Sequence, residues 1–287
     1  MLITSVRTGN TEVFLVDPIW GDSQNLTRTP KAENRYPQWS PDGKNIVFTS
    51  DRETRDAFDL YTMDASGDSV KRLTAVEPGG ACYLPTWHGS TIYFGYAPPL
   101  ESEAMIGSVS ADGGDRTLIA PGRDPAISPD GRHIAFTKFV KSGYCLFVMD
   151  ANGANEKQLT THENTIGAVA PTWSPDGTKL LYSDEAHGRL EIFRYDLPSQ
   201  TRRQITSLGQ FSASASWSPD MRQISFRVTD FDYWRYPDKR DQVYQEKRAD
   251  RRPVWIADAD GSNAHIPEPL RYHCAMDGSR APWRPNP

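Results

Sequence analysis

Cysteine is scarce in this chain. The three cysteines, Cys82, Cys145 and Cys274, are an odd number and lie far apart, so they match neither a disulfide framework nor a paired-cysteine metal site. A few widely spaced thiols are typical of free cysteines buried in a core. The sequence therefore argues against a fold that depends on disulfide bonds.

Long apolar runs and clustered basic charge are also absent. No stretch approaches the roughly 20 apolar residues that a membrane-spanning helix needs, and the first residues, MLITSVRTGN, lack the pattern of a secretory signal. A net charge of −5 and a pI near 5.7 are unlike the basic surfaces that bind nucleic acids. We therefore expect a monomer without nucleic-acid partners or membrane insertion, cytoplasmic as sequenced, or periplasmic if the sequence is the mature part of an exported protein.

A short motif of the type WSPDG recurs along the chain and divides it into units. Its aromatic position, or the replacement there, is Trp39, Trp87, Ile127, Trp173, Trp217 and, in a truncated copy, Trp283. Most spacings lie between 40 and 48 residues, and strand-like segments such as NIVF and LYTM follow each full motif. Four strands in a period of this length predict the blades of a β-propeller. We therefore predict an all-β fold of six blades, each a four-stranded antiparallel sheet.

We expect the two ends of the chain to supply one blade together. Residues 1–27 contain patterns for the second, third and fourth strands of a blade, and residues 280–287 carry the motif of a first strand around Trp283. A C-terminal strand that completes the N-terminal blade closes the ring and removes unpaired sheet edges. The prediction is a single propeller domain over residues 1–287, with an insertion at 230–252 in the fifth repeat.

These repeats resemble those of the TolB-like, WD40-like β-propeller family, whose consensus combines PxWSPDG, a strand ending in Asp, a polar turn with Gly and a final Leu-Thr. The resemblance covers essentially the whole chain and implies a propeller like that of a periplasmic protein-binding component. The 230–252 insertion is similar to a loop of prolyl oligopeptidase-type propellers. Peptidase chemistry does not follow, since no GxSxG motif occurs in the chain.

The residues of the motif itself are expected to be structural. Asp42, Asp130, Asp176 and Asp220 follow Ser-Pro and occupy the position that caps a turn. The repeated tryptophans suit packing between neighbouring blades. An acid or an aromatic residue that recurs in most blades is thus explained by the fold and not by catalysis.

The loops between second and third strands and the links between blades vary in length and charge, and we call the side that carries them the variable face. Binding residues are commonly found on variable loops carried by a rigid scaffold. The insertion at 230–252 interleaves aromatic and charged residues, which is the composition of binding hot spots. The candidate ligand-binding residues on this face are Arg35, Arg52, Arg55, His187, Tyr233, Trp234, Tyr236 and His273.

These features predict a non-catalytic propeller that binds a protein, peptide or saccharide through the variable face, with the insertion as the main contact. The alternative is a metal-assisted polysaccharide lyase or glycoside-processing enzyme with its site on the same face, and a scaffold without a pocket is a third. The candidate metal ligands are His162, His187 and His273, although no HxH or HxxxH spacing supports them. No cofactor is expected, but a divalent cation such as calcium in the central channel or on the variable face is left open.

Overall fold

The computed structural model describes residues 1–99, 103–141, 143–161, 169–229, 254–268 and 281–285. In these ranges the chain forms 22 β-strands in six antiparallel sheets and no α-helix. Each sheet is one blade, and its strands are neighbours in chain order. The predicted all-β, six-bladed propeller is confirmed. Four sheets have the predicted four strands, whereas the first and sixth have three strands within the described ranges. None of the described segments is a helix that could span a membrane.

Blades are numbered here from the N-terminal one, so the fifth sequence repeat is the sixth blade. The first three blades contain β1 Leu2–Ser5, β2 Glu12–Val16, β3 Ser23–Asn25; β4 Asn34–Trp39, β5 Asn45–Ser50, β6 Asp59–Asp64, β7 Lys71–Arg72; and β8 Ala81–His88, β9 Thr91–Ala97, β10 Met105–Ser110, β11 Thr117–Pro121. The last three contain β12 Arg123–Ile127, β13 His133–Val140, β14 Gly143–Asp150, β15 Lys157–Gln158; β16 Val169–Trp173, β17 Lys179–Ala186, β18 Arg189–Asp196, β19 Thr201–Gln204; and β20 Phe211–Trp217, β21 Gln223–Thr229, β22 Val254–Asp258.

The core lies between adjacent blades, because the middle strands of the sheets are apolar on both faces. Phe48 of β5 pairs with Tyr61 of β6, and both side chains are buried. Trp39 of the second blade packs with Leu2 and Val13 of the first. The same kind of contact with the preceding blade is made by Trp87, Trp173 and Trp217. The tryptophans therefore act as wedges between blades, as predicted.

The C-terminal residues lie beside the first strand. The backbone nitrogen of Leu2 donates to the carbonyl of Pro282 over 3.0 Å. Ala281 is buried with Met1 and Ile3 in a cluster against which Trp283 also packs. These contacts place residues 281–285 at the inner edge of the first blade and join the two ends of the chain. The assignment of all 287 residues to one domain stays a prediction.

The first strands of the second to sixth blades share a backbone irregularity that the sequence did not predict. In β4 the pairing register shifts between Arg35 and Gln38, and Tyr36 within the shift has a φ of 54°. The corresponding residues of the other blades, with φ between 44° and 58°, are Leu84, Asp124, Ala170 and Ser214. Such a bulge bends the strand and redirects neighbouring side chains. Left-handed backbone costs a residue with a side chain about 1–2 kcal/mol, so packing between blades must offset it.

The Leu-Thr pair that ends the repeats fixes the third strand. In the second blade the Thr74 hydroxyl accepts a hydrogen bond from the backbone nitrogen of Leu60 and donates to the buried carboxylate of Asp59, both over 2.9 Å. Arg72 pairs with the same carboxylate over 2.5 Å. The equivalent backbone bond is accepted by Thr27, Thr160 and Thr206. This part of the repeat is therefore structural.

The aspartates of the Ser-Pro-Asp turns are held by local hydrogen bonds. The Ser40 hydroxyl donates to Asp42 over 2.6 Å, and the backbone nitrogen of Lys44 donates to the same carboxylate over 3.1 Å. The same two bonds recur at Asp130, Asp176 and Asp220. They hold the pKa of Asp42 below its ordinary value. The interpretation of these acids as turn caps is confirmed.

Replacing Met221 by glycine should stabilise the sixth blade. Met221 has a φ of 61° in the turn position that glycine holds in three other blades, for example Gly177 with a φ of 69°. Since a left-handed residue pays a steric cost that glycine avoids, and glycine loses more entropy on folding, we expect a net gain of roughly 0.5–1 kcal/mol. Urea denaturation measures it. The reciprocal Gly177→Met should lower stability, and an unchanged or lower value for Met221→Gly would contradict the assigned strain.

Candidate functional site on the variable face

Arg52, one of the predicted ligand contacts, is engaged within the protein. Its guanidinium donates to Asn34 over 3.0 Å and to Ser50 over 3.1 Å, and it lies 4.8 Å from the ring centre of Tyr61. Burial lowers the pKa of Arg52. Asn34 in turn donates to the buried carboxylate of Glu12 in the first blade. The contacts favour a role in joining the first two blades, and ligand binding by Arg52 stays a prediction.

The other described candidates differ in how they are held. Arg35 is half-buried, with its guanidinium 4.7 Å from the ring centre of Phe58 and 3.9 Å from Glu33. Arg55 is exposed. His187 is also exposed and has a φ of 53° in the tight turn between β17 and β18. Ligand binding by these residues stays a prediction.

The remaining sequence candidates, Tyr233, Trp234, Tyr236, His162 and His273, lie outside the described residues, as does the 230–252 insertion. Within the described ranges, no group of three or more His, Cys, Asp or Glu side chains could hold a metal ion. Since two of the three candidate metal ligands lie outside those ranges, the predicted metal site stays a prediction. The native compartment also stays a prediction.

An arginine that was not among the predicted ligand contacts lies at the centre of a cluster on this face. Arg123 begins β12, and its guanidinium donates to the hydroxyl of Tyr144 over 2.7 Å. Burial alone would lower the pKa of Arg123, but Tyr83, Asp124 and Tyr144 raise it above its ordinary value. The guanidinium is therefore a permanent, partly desolvated cation beside two phenols.

Tyr83, from the third blade, reaches Arg123 across the blade junction. Burial raises the pKa of its phenol, and the nearby Arg123 guanidinium acts in the opposite direction. The ring lies flat on Gly95, the cross-strand partner of Tyr83, where an added Cβ would stand 2.4 Å from Cζ. Only glycine at position 95 leaves room for this ring. The position of Tyr83, and with it one side of the site, thus depends on a single small residue.

Asp124 fixes the cluster to the next blade. It is 6% exposed, and its carboxylate accepts hydrogen bonds from the backbone nitrogen of Ala170 over 3.2 Å and from Thr137 over 3.4 Å. Asp124 is also the left-handed residue of the bulge in β12. The bulge therefore directs the two side chains to different places: Arg123 contacts Tyr144 in the site, whereas Asp124 bonds to the fifth blade.

Phe139 extends the cluster into solvent. It is 58% exposed near the end of β13 and lies edge-on to Tyr144, with ring centres 5.3 Å apart. We call Tyr83, Arg123, Phe139 and Tyr144 the Arg123 patch. An exposed aromatic ring beside a desolvated arginine and two tyrosines is the residue combination of protein-binding hot spots. It offers an apolar anchor and a fixed cation, and no nucleophile-base pair is evident within it.

A repeat alignment could have found part of this patch. Arg35, Tyr83 and Arg123 occupy the same place in three successive repeats, two residues before the proline that precedes the motif's aromatic position. Of the three, only Arg35 was predicted from the sequence as a ligand contact. No sequence pattern marks Phe139 and Tyr144, because their importance depends on contact with each other and with Arg123 in three dimensions.

The chain matches the family model of the TolB beta propeller domain over residues 1–166 and 100–232. It thus belongs to the TolB β-propeller family. The Tol-Pal system protein TolB of Francisella tularensis is 31% identical over 76% of this chain and 52% of its own length. The uncharacterized protein Atu1656 of Agrobacterium fabrum is 24% identical over 79% of this chain and 73% of its own length. The chain therefore spans about half of the Francisella relative.

Solved structures show the same fold. TolB from Acinetobacter baumannii superposes with a TM-score of 0.72 at 18% identity, covering 99% of this chain and 66% of that one. An oligogalacturonate lyase from Vibrio parahaemolyticus superposes with a TM-score of 0.60 at 12% identity, covering 93% of this chain and 73% of that one. Similarity at these identities shows the fold alone. The lyase alternative therefore stays a prediction.

Proposed function

We propose that this chain is a non-catalytic propeller that binds a protein or peptide through the variable face, with the Arg123 patch at the centre of the contact. The Francisella relative is named as a protein of the Tol-Pal system, and we transfer from that name the kind of ligand, a protein partner. The observation that carries the proposal is the exposed ring of Phe139 beside the paired Arg123 and Tyr144.

The chemistry of the patch supports a partner with an apolar side chain and a carboxylate or carbonyl oxygen. Phe139 can bury apolar surface, and Arg123 presents donors in a planar fork that the hydrogen bond to Tyr144 holds in place. Since these groups are already held by the protein, a partner would lose little free energy in ordering them. A saccharide is less well matched, because it offers few apolar groups for an edge-packed phenylalanine.

Phe139→Ser should weaken partner binding without unfolding the propeller. Immobilised protein captures partners from a lysate of the source cells, and each captured protein is purified and titrated by calorimetry. We expect the dissociation constant to rise roughly tenfold or more, because an exposed aromatic anchor at a hot spot contributes about 2 kcal/mol.

The matched control is Leu118→Ser on the outer strand of the third blade, where Leu118 is 45% exposed. It removes a comparable exposed apolar side chain away from the patch and should leave affinity unchanged. If every purified partner binds Phe139→Ser as tightly as the wild-type protein, the Arg123 patch is not the contact surface.

A further inference from the structure

The opposite side of the propeller, which carries the Ser-Pro-Asp turns, has a cavity between the fourth and fifth blades. Its volume is about 370 Å³. One wall is the turn of the fourth blade with Ser128 and Asp130, and the other is the turn of the fifth blade with Asp176 and Gly177. Trp173 lines the cavity, with its indole nitrogen bonded to the carbonyl of Ala126 over 2.8 Å.

The equivalent junction between the first and second blades is filled by an arginine of the chain itself. Arg284 takes the place of the serine in WSPDG, and its guanidinium lies 5.0 Å from the ring centre of Trp39. It donates two hydrogen bonds to the carbonyl of Gly43, over 2.9 and 3.2 Å. By repeat position, Trp39 corresponds to Trp173, Gly43 to Gly177, and Arg284 to Ser128. This junction is thus an internal example of an arginine bound between a wedge tryptophan and a turn glycine.

A second junction follows the same rule. His88 holds the serine position of the third blade, and its imidazole lies against Gly131, where an added Cβ would stand 2.3 Å from Nε2. A large residue at this position therefore reaches the turn glycine of the next blade. At the junction of the fourth and fifth blades the residue is Ser128, which is too short to do so. The cavity is open because its own chain supplies no side chain to fill it.

The charges around the cavity favour a cation. Asp130 makes no ion pair within 4.0 Å in the described part of the chain, whereas Lys44, Lys179 and Arg222 lie within that distance of the aspartates in the other three turns. Bonds from Ser128 and the backbone of Arg132 lower the pKa of Asp130. Although burial works the other way, bonds from Ser174 and Thr178 lower the pKa of Asp176 to about 2. Both carboxylates are therefore charged at neutral pH. Lys179 lies within 4.0 Å of Asp176, whereas the basic residues near Asp130, Arg132 and His133, form no ion pair with it within that distance.

We propose that this cavity binds an arginine side chain of a partner protein or peptide. The guanidinium stacks on Trp173 and donates to the carbonyl of Gly177, as Arg284 does at Trp39 and Gly43, and Asp130 supplies the counter-charge. The cavity lies on the opposite side of the propeller from the Arg123 patch and shares no residue with it, so this proposal does not depend on the proposed function.

The test uses the peptide acetyl-Gly-Gly-Arg-Gly-Gly-amide and its citrulline and lysine counterparts. The indole ¹H–¹⁵N signal of Trp173, assigned by its loss in Trp173→Phe, should shift saturably with the arginine peptide. Citrulline keeps the shape of arginine but lacks its charge, and lysine keeps the charge but lacks the planar fork. Both should bind at least roughly tenfold more weakly, which corresponds to about 1.4 kcal/mol.

Two variants separate the cavity from the rest of the surface. Ser128→Arg copies the arrangement at Arg284 and should abolish the shift by filling the cavity from within. Asp130→Asn keeps the turn acceptor but removes the charge, and should weaken binding several-fold, whereas Asp220→Asn in the equivalent turn of the sixth blade should not. If Ser128→Arg fails to fold, this pair of asparagine variants decides. An absent shift, equal binding of the citrulline or lysine peptide, or equal weakening by both asparagine variants would overturn the proposal.

Discussion

Removing residues 280–287 should destabilise the whole propeller and not only its C-terminal end. The deletion removes the hydrogen bond between Leu2 and Pro282 and the buried side chain of Ala281. It also exposes Met1 and Ile3, which are buried in the intact protein. Loss of a large aromatic wedge such as Trp283 alone costs on the order of 3 kcal/mol when it is well packed. We expect the free energy of unfolding to fall by at least that amount.

The measurement is urea denaturation followed by tryptophan fluorescence and by circular dichroism. A single transition at lower urea in both signals shows that the ring unfolds as one unit. The synthetic peptide RAPWRPNP, added in excess, should restore part of the lost stability because it can pair with the open edge of β1. A deletion variant with wild-type stability, or one that the peptide leaves unchanged, would contradict closure by these residues.

The sequence predicted those parts of the fold that repeat. The turn held by the hydrogen bond between Ser40 and Asp42 involves only neighbouring residues, so the sequence Ser-Pro-Asp-Gly predicts this turn wherever it occurs. Trp39 and its equivalents are recognisable because the same packing against the preceding blade recurs at most junctions. The bulges were not predicted, since a residue before proline is ordinarily extended, whereas Tyr36, Leu84 and Asp124 adopt positive φ. Their conformation is set by the packing of innermost strands around the ring, which no single repeat contains.

The candidate site was less predictable for the same reason. Arg52 was predicted as a ligand contact because it follows a strand in a charged loop. The sequence did not show that it also bonds to Asn34 and Ser50, which come from two different strands. Arg123 looked ordinary in sequence, and its significance comes from Tyr83 of the preceding blade and Tyr144 of a neighbouring strand. Contacts between blades depend on the angle at which neighbouring sheets meet, and the sequence of a single repeat does not predict that angle.

Gly95→Ala should both destabilise the protein and disrupt the Arg123 patch. The added Cβ would stand 2.4 Å from Cζ and 2.5 Å from Cε2 of the Tyr83 ring, which is far inside van der Waals contact. Gly95 is buried in β9, so the backbone has little freedom to move away. Overpacking of this kind costs about 1–3 kcal/mol. Thermal unfolding measures the loss, and titration with the partner measures the accompanying loss of affinity.

A double-mutant cycle with Tyr83→Ala separates the clash from other effects of the new methyl group. If the clash is the cause, Gly95→Ala should cost much less in the Tyr83→Ala background than in the wild type, with a coupling of at least roughly 1 kcal/mol. Equal cost in both backgrounds would show that the ring is not the obstacle. Tyr83→Ala alone should weaken partner binding, because the Arg123 patch then lacks one of its two phenols. In that background Gly95→Ala should weaken binding little further, and this outcome would show that Gly95→Ala acts on the patch through the ring of Tyr83.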